Sequence, residues 1–212
     1  MATGGWSIMN EPTTGLKRLF GVVTNPQSYL NIVYLLLAFP LGIFYFVFLV
    51  TGLSLGVGLS ITLLGIPLLG LVLGGSWALC RFERGAAIIL LKVDIPAALP
   101  QPESSGLWSR VKVLLKDRVT WTGMLYLFLK FPLGIASFSI VVTLIAVSLA
   151  LLAAPILYIY ADIDLVIWYV DTLSEAFVLT LIGVALSFIS LHLMNGMAYV
   201  SGRMAKALLG KS

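Results

Sequence analysis

The chain of 212 residues is 60% hydrophobic and 10% charged, with a mean hydropathy of +1.06. A water-soluble domain has about a quarter of its residues charged, so there is too little polar surface here to coat a soluble globule. The net charge of +4 does not point to nucleic acid. The basic residues lie beside apolar runs, where Lys and Arg set membrane orientation and meet anionic lipid. The composition is that of a polytopic all-α membrane protein.

Residues 1–14 read as a flexible cytoplasmic tail. They contain Gly, Thr, Asn and Pro without periodicity and no apolar core. The first spanning helix is therefore expected to act as its own targeting signal. From 15 to 23, Leu16, Leu19, Phe20 and Val23 share one helical face beside Lys17 and Arg18, the pattern of an interfacial amphipathic helix. Asn25-Pro26 then signals a helix start. Helix one is expected over about 29–50 and carries Tyr34-Leu35-Leu36-Leu37-Ala38-Phe39-Pro40-Leu41-Gly42-Ile43.

That stretch returns 92 residues later as Tyr126-Leu127-Phe128-Leu129-Lys130-Phe131-Pro132-Leu133-Gly134-Ile135. A proline and a glycine at one place in two apolar runs indicate duplication. Pro40 and Pro132 each remove an N–H and are expected to kink their helices. The turn is expected at the glycine-rich 51–58. Helix two follows over about 59–81, with Pro67 inside, Gly70 and Gly74 as a small-residue packing pair, and a continuation out of the membrane to Leu91. Residues 15–92 form the first repeat and 93–106 a Pro-rich cytoplasmic linker.

The second repeat, 107–212, opens with another interfacial pattern over 107–116 and a third spanning helix over about 122–146. Lys130 lies two turns into that helix and is expected to snorkel back to the interface. The repeat then departs from the first through an acidic, aromatic insertion at 158–175. Helix four is expected over about 176–200. The architecture is four transmembrane helices in two tandem parallel hairpins, with amphipathic interfacial helices.

Thirteen Lys and Arg are distributed unevenly. Two precede helix one, seven lie between helices two and three, one (Lys130) lies early in helix three, and three follow helix four. The intervening loops on the other side have none. This places the N- and C-termini in the cytoplasm and 158–175 outside, in a multi-pass cell-membrane protein.

Candidate ligand-binding residues are Pro40 and Pro132 at the kinks, the aromatics Tyr158, Tyr160, Trp168 and Tyr169, and the polar pair His192 and Asn195 in helix four. A polar residue within the bilayer is a site hypothesis by default. Asp162, Asp164, Asp171 and Glu175 could hold a cation if clustered, although no complete calcium-loop pattern is present. No phosphate loop, metal-ligand spacing or nucleophilic triad is found, and acidic residues are expected to be absent from the four helix cores. The chain therefore reads as non-enzymatic, without cofactor or metal. Cys80, the single cysteine, reads as a small packing residue.

Residues 34–69 and 126–157 resemble the sensor-domain family of prokaryotic membrane proteins. The resemblance lies in the two Phe-Pro-Leu-Gly stretches, Thr51-Gly52-Leu53-Ser54-Leu55-Gly56, Gly65-Ile66-Pro67-Leu68-Leu69 and Arg81-Phe82-Glu83-Arg84. It covers most of 25–210. It implies a four-helix sensing module, which in many members is the N-terminal membrane part of a histidine kinase and in others stands alone. No kinase or coiled coil lies within the 212 residues, so an effector is expected in another chain. The expected function is a membrane sensor or ligand-binding module for a lipophilic or membrane-derived signal, with membrane lipids, a lipophilic small molecule and a separate protein as partners. The alternatives are a structural or accessory subunit and, ranked lower, a small permease or channel.

Overall fold

The computed structural model describes residues 21–62, 64–95, 118–160, 163–165, 168–170 and 172–210. Helix α1 spans Pro26–Gly58, followed by a 3-10 turn at Leu59–Thr62. Helix α2 spans Gly65–Leu91, α3 Arg118–Leu152, the short α4 Ala154–Tyr160 and α5 Leu173–Leu209. Between α4 and α5, β1 (Ile163–Leu165) pairs antiparallel with β2 (Trp168–Val170), with Asp164 opposite Tyr169. This ladder is a minor addition to an all-α fold. Four helices are long and apolar enough to cross a membrane. The expected interfacial helices lie outside the described residues, apart from a helical 21–24.

The apolar surface faces outward. Phe44, Val47, Val57, Ile61, Leu64, Leu181 and Val200 are among many exposed large side chains, while Ser28, Ser76, Glu83, Thr120, Lys130, Ser137, Ser148 and Ser190 are buried. Lipid solvates such an exterior as well as a core would. Helix association then rests on close packing and on polar groups that find one another.

The chain's contacts divide it into two units, one of residues 1–29 and 139–196, the other of 30–138 and 197–212. In the second unit, α1 and α2 form a hairpin whose turn differs from the expected one. Residues 51–58 are helical, and the chain turns at 59–64. The glycines there serve packing. A Cβ on Gly52 would lie 2.5 Å from Val72, and one on Gly56 would lie 2.5 Å from Leu69. Two glycines one turn apart thus open a groove on α1 that α2 fills.

Further along, Gly75 receives the Phe48 ring, whereas Gly74 faces open space. The pairing glycine of α2 is therefore Gly75, which corrects the expectation for Gly74. Pro67 is the third residue of α2, where the missing N–H has no partner to lose. Gly65 sits so tightly against the backbone of Ser60, Gly56 and Leu59 that any side chain would collide. Helix α2 ends at Lys92, which adopts a left-handed conformation (φ 52°). The Arg84 guanidinium then donates to the Ile95 carbonyl at 2.7 Å, holding the exit of the helix.

Also in this unit, α1 and α3 cross at their shared sequence. A Cβ on Gly42 would lie 2.8 Å from the Lys130 carbonyl oxygen, and one on Gly134 would lie 2.5 Å from that of Ala38. Each glycine thus meets the position that matches its partner's neighbour in the other helix. The rings follow the same rule. Phe39 stacks on Phe138 at 4.8 Å, and Phe46 stacks on Phe131 at 4.4 Å. Exchanging the helices turns each contact into the other.

The first unit packs Ala154, Ala176 and Leu179 together, with Leu151 and Tyr158 against them. Gly183 lies under Leu151, and Asn195 donates to Ser28 Oγ at 3.0 Å. Thr172 and Glu175 close the start of α5. The Thr172 N–H donates to Glu175 Oε2 and the Glu175 N–H to Thr172 Oγ1, a reciprocal capping box.

A side chain at the α1–α3 crossing would strike backbone, which cannot rotate away. Gly42→Ala and Gly134→Ala are each expected to lower stability by about 1–3 kcal/mol, read as earlier loss of the monodisperse peak on heating in detergent. Gly74→Ala, facing open space, is expected to leave that temperature unchanged.

Candidate functional site

The buried charges lie in the second unit, where the tyrosines of the repeated stretch meet α2. Tyr34 opens the repeat motif in α1 and Tyr126 opens it in α3. Both are buried and point to one carboxylate, Glu83 of α2. Glu83 is 0% exposed and forms an ion pair with Lys130, which is 3% exposed. Glu83 is therefore buried among the helices, on the part of α2 that continues past the expected spanning core of 59–81. Its pairing corrects the expected snorkelling of Lys130. Snorkelling serves an ammonium without a nearby counter-charge. Here α2 supplies one, so the side chain stays inside.

The hydrogen bonding is nearly complete. Tyr34 Oη donates to Glu83 Oε1 at 2.8 Å and accepts from Lys130 Nζ at 2.6 Å. Tyr45 Oη donates to Glu83 Oε2 at 2.9 Å. Tyr126 Oη lies 3.1 Å from Glu83 Oε1 and 3.3 Å from Tyr34 Oη. Its single proton serves one of these at a time. Lys130 directs one N–H to Glu83 and one to Tyr34, and its ammonium lies 4.1 Å from the Tyr34 ring centre and 5.8 Å from that of Tyr126. The aromatic faces add attraction for the cation where water is absent. Both carboxylate oxygens and the cation are thus satisfied, the condition under which a buried pair is tolerable.

Only the two tyrosines obey the 92-residue relation. The counterpart of Lys130 is Ala38, and the counterpart of Tyr45 is Ser137. A frame with paired positions therefore holds a single pair of charges. Sequence reasoning missed this site because Glu83 sits in a basic stretch, Arg81-Phe82-Glu83-Arg84, that looks like a solvated helix end. The usable signal was Lys130 against Ala38. A lysine where the other copy has alanine asks for a partner.

The residues singled out from the sequence are placed as follows. Pro40 and Pro132 lie inside continuous helices on exposed faces. Tyr158 packs against the Ala154, Ala176 and Leu179 cluster. Tyr160 ends α4, and Trp168 and Tyr169 are on β2. His192 is exposed, its Nδ1 bonded to the Phe188 carbonyl of its own helix at 2.9 Å. Asn195 reaches Ser28 across helices. Asp164 is on β1, Glu175 belongs to the capping box, and Asp162 and Asp171 lie outside the described residues. Among the described residues no group of three His, Cys, Asp or Glu could hold a metal.

The family whose description reads "Putative sensor" matches residues 34–209, more than half of the chain. The chain belongs to that family. It is an all-α, multi-pass membrane domain of sensor type, with four helices long and apolar enough to cross a bilayer. No curated protein and no solved structure matches it.

Two measurements bear on this geometry. Glu83→Gln or Lys130→Met alone strands a buried group and is expected to cost about 3–5 kcal/mol, whereas the double variant recovers most of the loss. A double-mutant cycle of thermal stability in detergent checks the coupling. Thr172→Val is expected to cost about 1 kcal/mol through the lost cap. Glu175→Gln, which can still accept from the cap N–H, is expected to be near neutral, with no change on adding calcium.

Proposed function

We propose that this sensor domain reads a lipophilic or membrane-derived signal and relays it to a separate cytoplasmic protein, with the Glu83–Lys130 network as the element the signal acts on. The observation that carries this reading is a fully buried carboxylate–ammonium pair that joins α2 to α3. Charges in such positions are costly, and they mark function more often than scaffold. Hydrophobic residues of similar volume would hold the helices together at least as well. What a charge pair offers instead is two distinguishable states, joined and parted, which packed side chains can convert into a shift of α1 against α3.

The repeated stretch supports the route of that shift. We read α1 and α3 as copies of one ancestral unit. The residues preceding each copy, 15–23 and 107–116, carry a basic amphipathic pattern suited to the cytoplasmic interface. A change at the crossing would reach both, and from them a partner, in the manner of the kinase-linked members that the family resemblance suggests. We read the aromatic-rich stretch carrying Tyr158, Tyr160, Trp168 and Tyr169 as the part of the sequence that meets a lipophilic ligand on the outer side, with His192 and Asn195 in the helix that follows. The Lys and Arg near the termini and on both sides of 93–106 (Arg81, Arg84 and Lys92 before it, Arg110, Lys112, Lys116 and Arg118 after it) support a cytoplasmic placement of the termini and of that linker.

The test is photo-crosslinking in native membranes from positions 15–23. A discrete protein partner is expected, with a yield that changes when a lipid extract is added. In Lys130→Met the yield is expected to stay fixed whatever is added. A partner crosslinked equally under all these conditions would instead identify an accessory subunit, and no crosslinked partner would remove the relay.

A further inference from the structure

Beside the charge network, but separate from it, the second unit holds an open cavity of about 30 Å³. It is lined by Trp77, Cys80, Arg81 and Arg84 of α2, Thr120 of α3 and Leu209 of α5, among others. Two polar atoms there lack a partner among the described residues, Arg84 Nε and Thr120 Oγ1. Thr120 is 5% exposed, so its hydroxyl is closed off from bulk solvent. Arg84 spends one terminal nitrogen on the Ile95 carbonyl and leaves Nε free. Arg81 is held over the Trp77 ring at 4.9 Å. Thr120 also lies in the first turn of the 35-residue α3, whose N–H groups and dipole give that end a positive potential.

We propose that this cavity binds the phosphodiester of an anionic phospholipid. Every unsatisfied group around it is a hydrogen-bond donor or a cation, so the complement is an oxyanion. The volume has room for roughly two water-sized groups, which matches the two unesterified oxygens of a phosphodiester. The ester arms would leave through the open mouth. Guanidinium groups are the side chains best shaped for such oxygens. The apolar lining from Trp77 and Leu209, at the end of spanning helices, suits the glycerol and upper acyl carbons. A free phosphate would instead need its remaining oxygens solvated against that lining. The site is distinct from the network that the sensor reading rests on, and its test does not depend on signalling.

The 212-residue protein is placed in nanodiscs of phosphatidylcholine with increasing phosphatidylglycerol, and retained lipid is counted by native mass spectrometry. Wild type is expected to keep one phosphatidylglycerol in preference to phosphatidylcholine. Arg84→Gln is expected to weaken retention about tenfold, equivalent to one lost charge-assisted contact. Thr120→Val, nearly the same shape, is expected to weaken it severalfold. Arg203→Gln, a basic residue outside the cavity, is expected to leave it unchanged. Alkylation of Cys80, the single cysteine, gives an independent readout and is expected to slow as phosphatidylglycerol rises.

Should Arg84→Gln fail to fold, Thr120→Val and the Cys80 rate still decide the matter. Equal retention of both lipids, or equal weakening by Arg203→Gln, would overturn the proposal in favour of water-filled space and diffuse charge. Protection of Cys80 by millimolar inorganic phosphate alone would overturn it in favour of a free anion.

Discussion

The structure depends on a carboxylate and an ammonium that must meet inside the helices or not be there at all. Glu83 and Lys130 are both almost fully enclosed, and neither has a route to bulk water that would spare it the other. This requirement fixes the face of α2 that is turned toward α1 and α3. It also explains why three tyrosines converge on one point. A buried carboxylate has more lone pairs than one lysine can occupy, and phenols are apolar enough to reside among helices while still donating.

Around this pair the protein builds a nearly two-fold frame. The reciprocal glycine contacts and the two phenylalanine stacks relate α1 and α3 by exchange, and Tyr34 and Tyr126 meet each other. The charges do not share that symmetry. Both tyrosines already address the same carboxylate, so a second lysine at position 38 would find no second acid. One charge pair per crossing is therefore built into the arrangement.

Much of the architecture could be read directly from the residues. Long apolar runs and the repeated Tyr-Leu-x-Leu-x-Phe-Pro-Leu-Gly-Ile stretch located the helices and singled out two of them. The misreadings have physical causes. Glycines at 52 and 56 suggested a turn, but in lipid, glycine is as often a means of close approach, and here Val72 and Leu69 use it. The capping box at Thr172 was written plainly in Thr-Leu-Ser-Glu, yet the glutamate drew attention as a charge. Glu83 and Lys130 were each read against their own segment as interfacial. Their partnership spans 47 residues, and no local pattern reports a contact between helices.

That separation also bears on how the protein is made. Glu83 emerges in the second spanning helix, well before Lys130, while Tyr34 and Tyr45 have already been synthesised in the first. The early hairpin, latched through Gly52, Gly56 and Gly75, can therefore enter the bilayer with its acid hosted by two phenols. Lys130 follows 47 residues later, in the third helix. The order of residues along the chain thus gives the acid two phenol partners in the hairpin made first, and the charge of the pair synthesised last ties α3 to that hairpin.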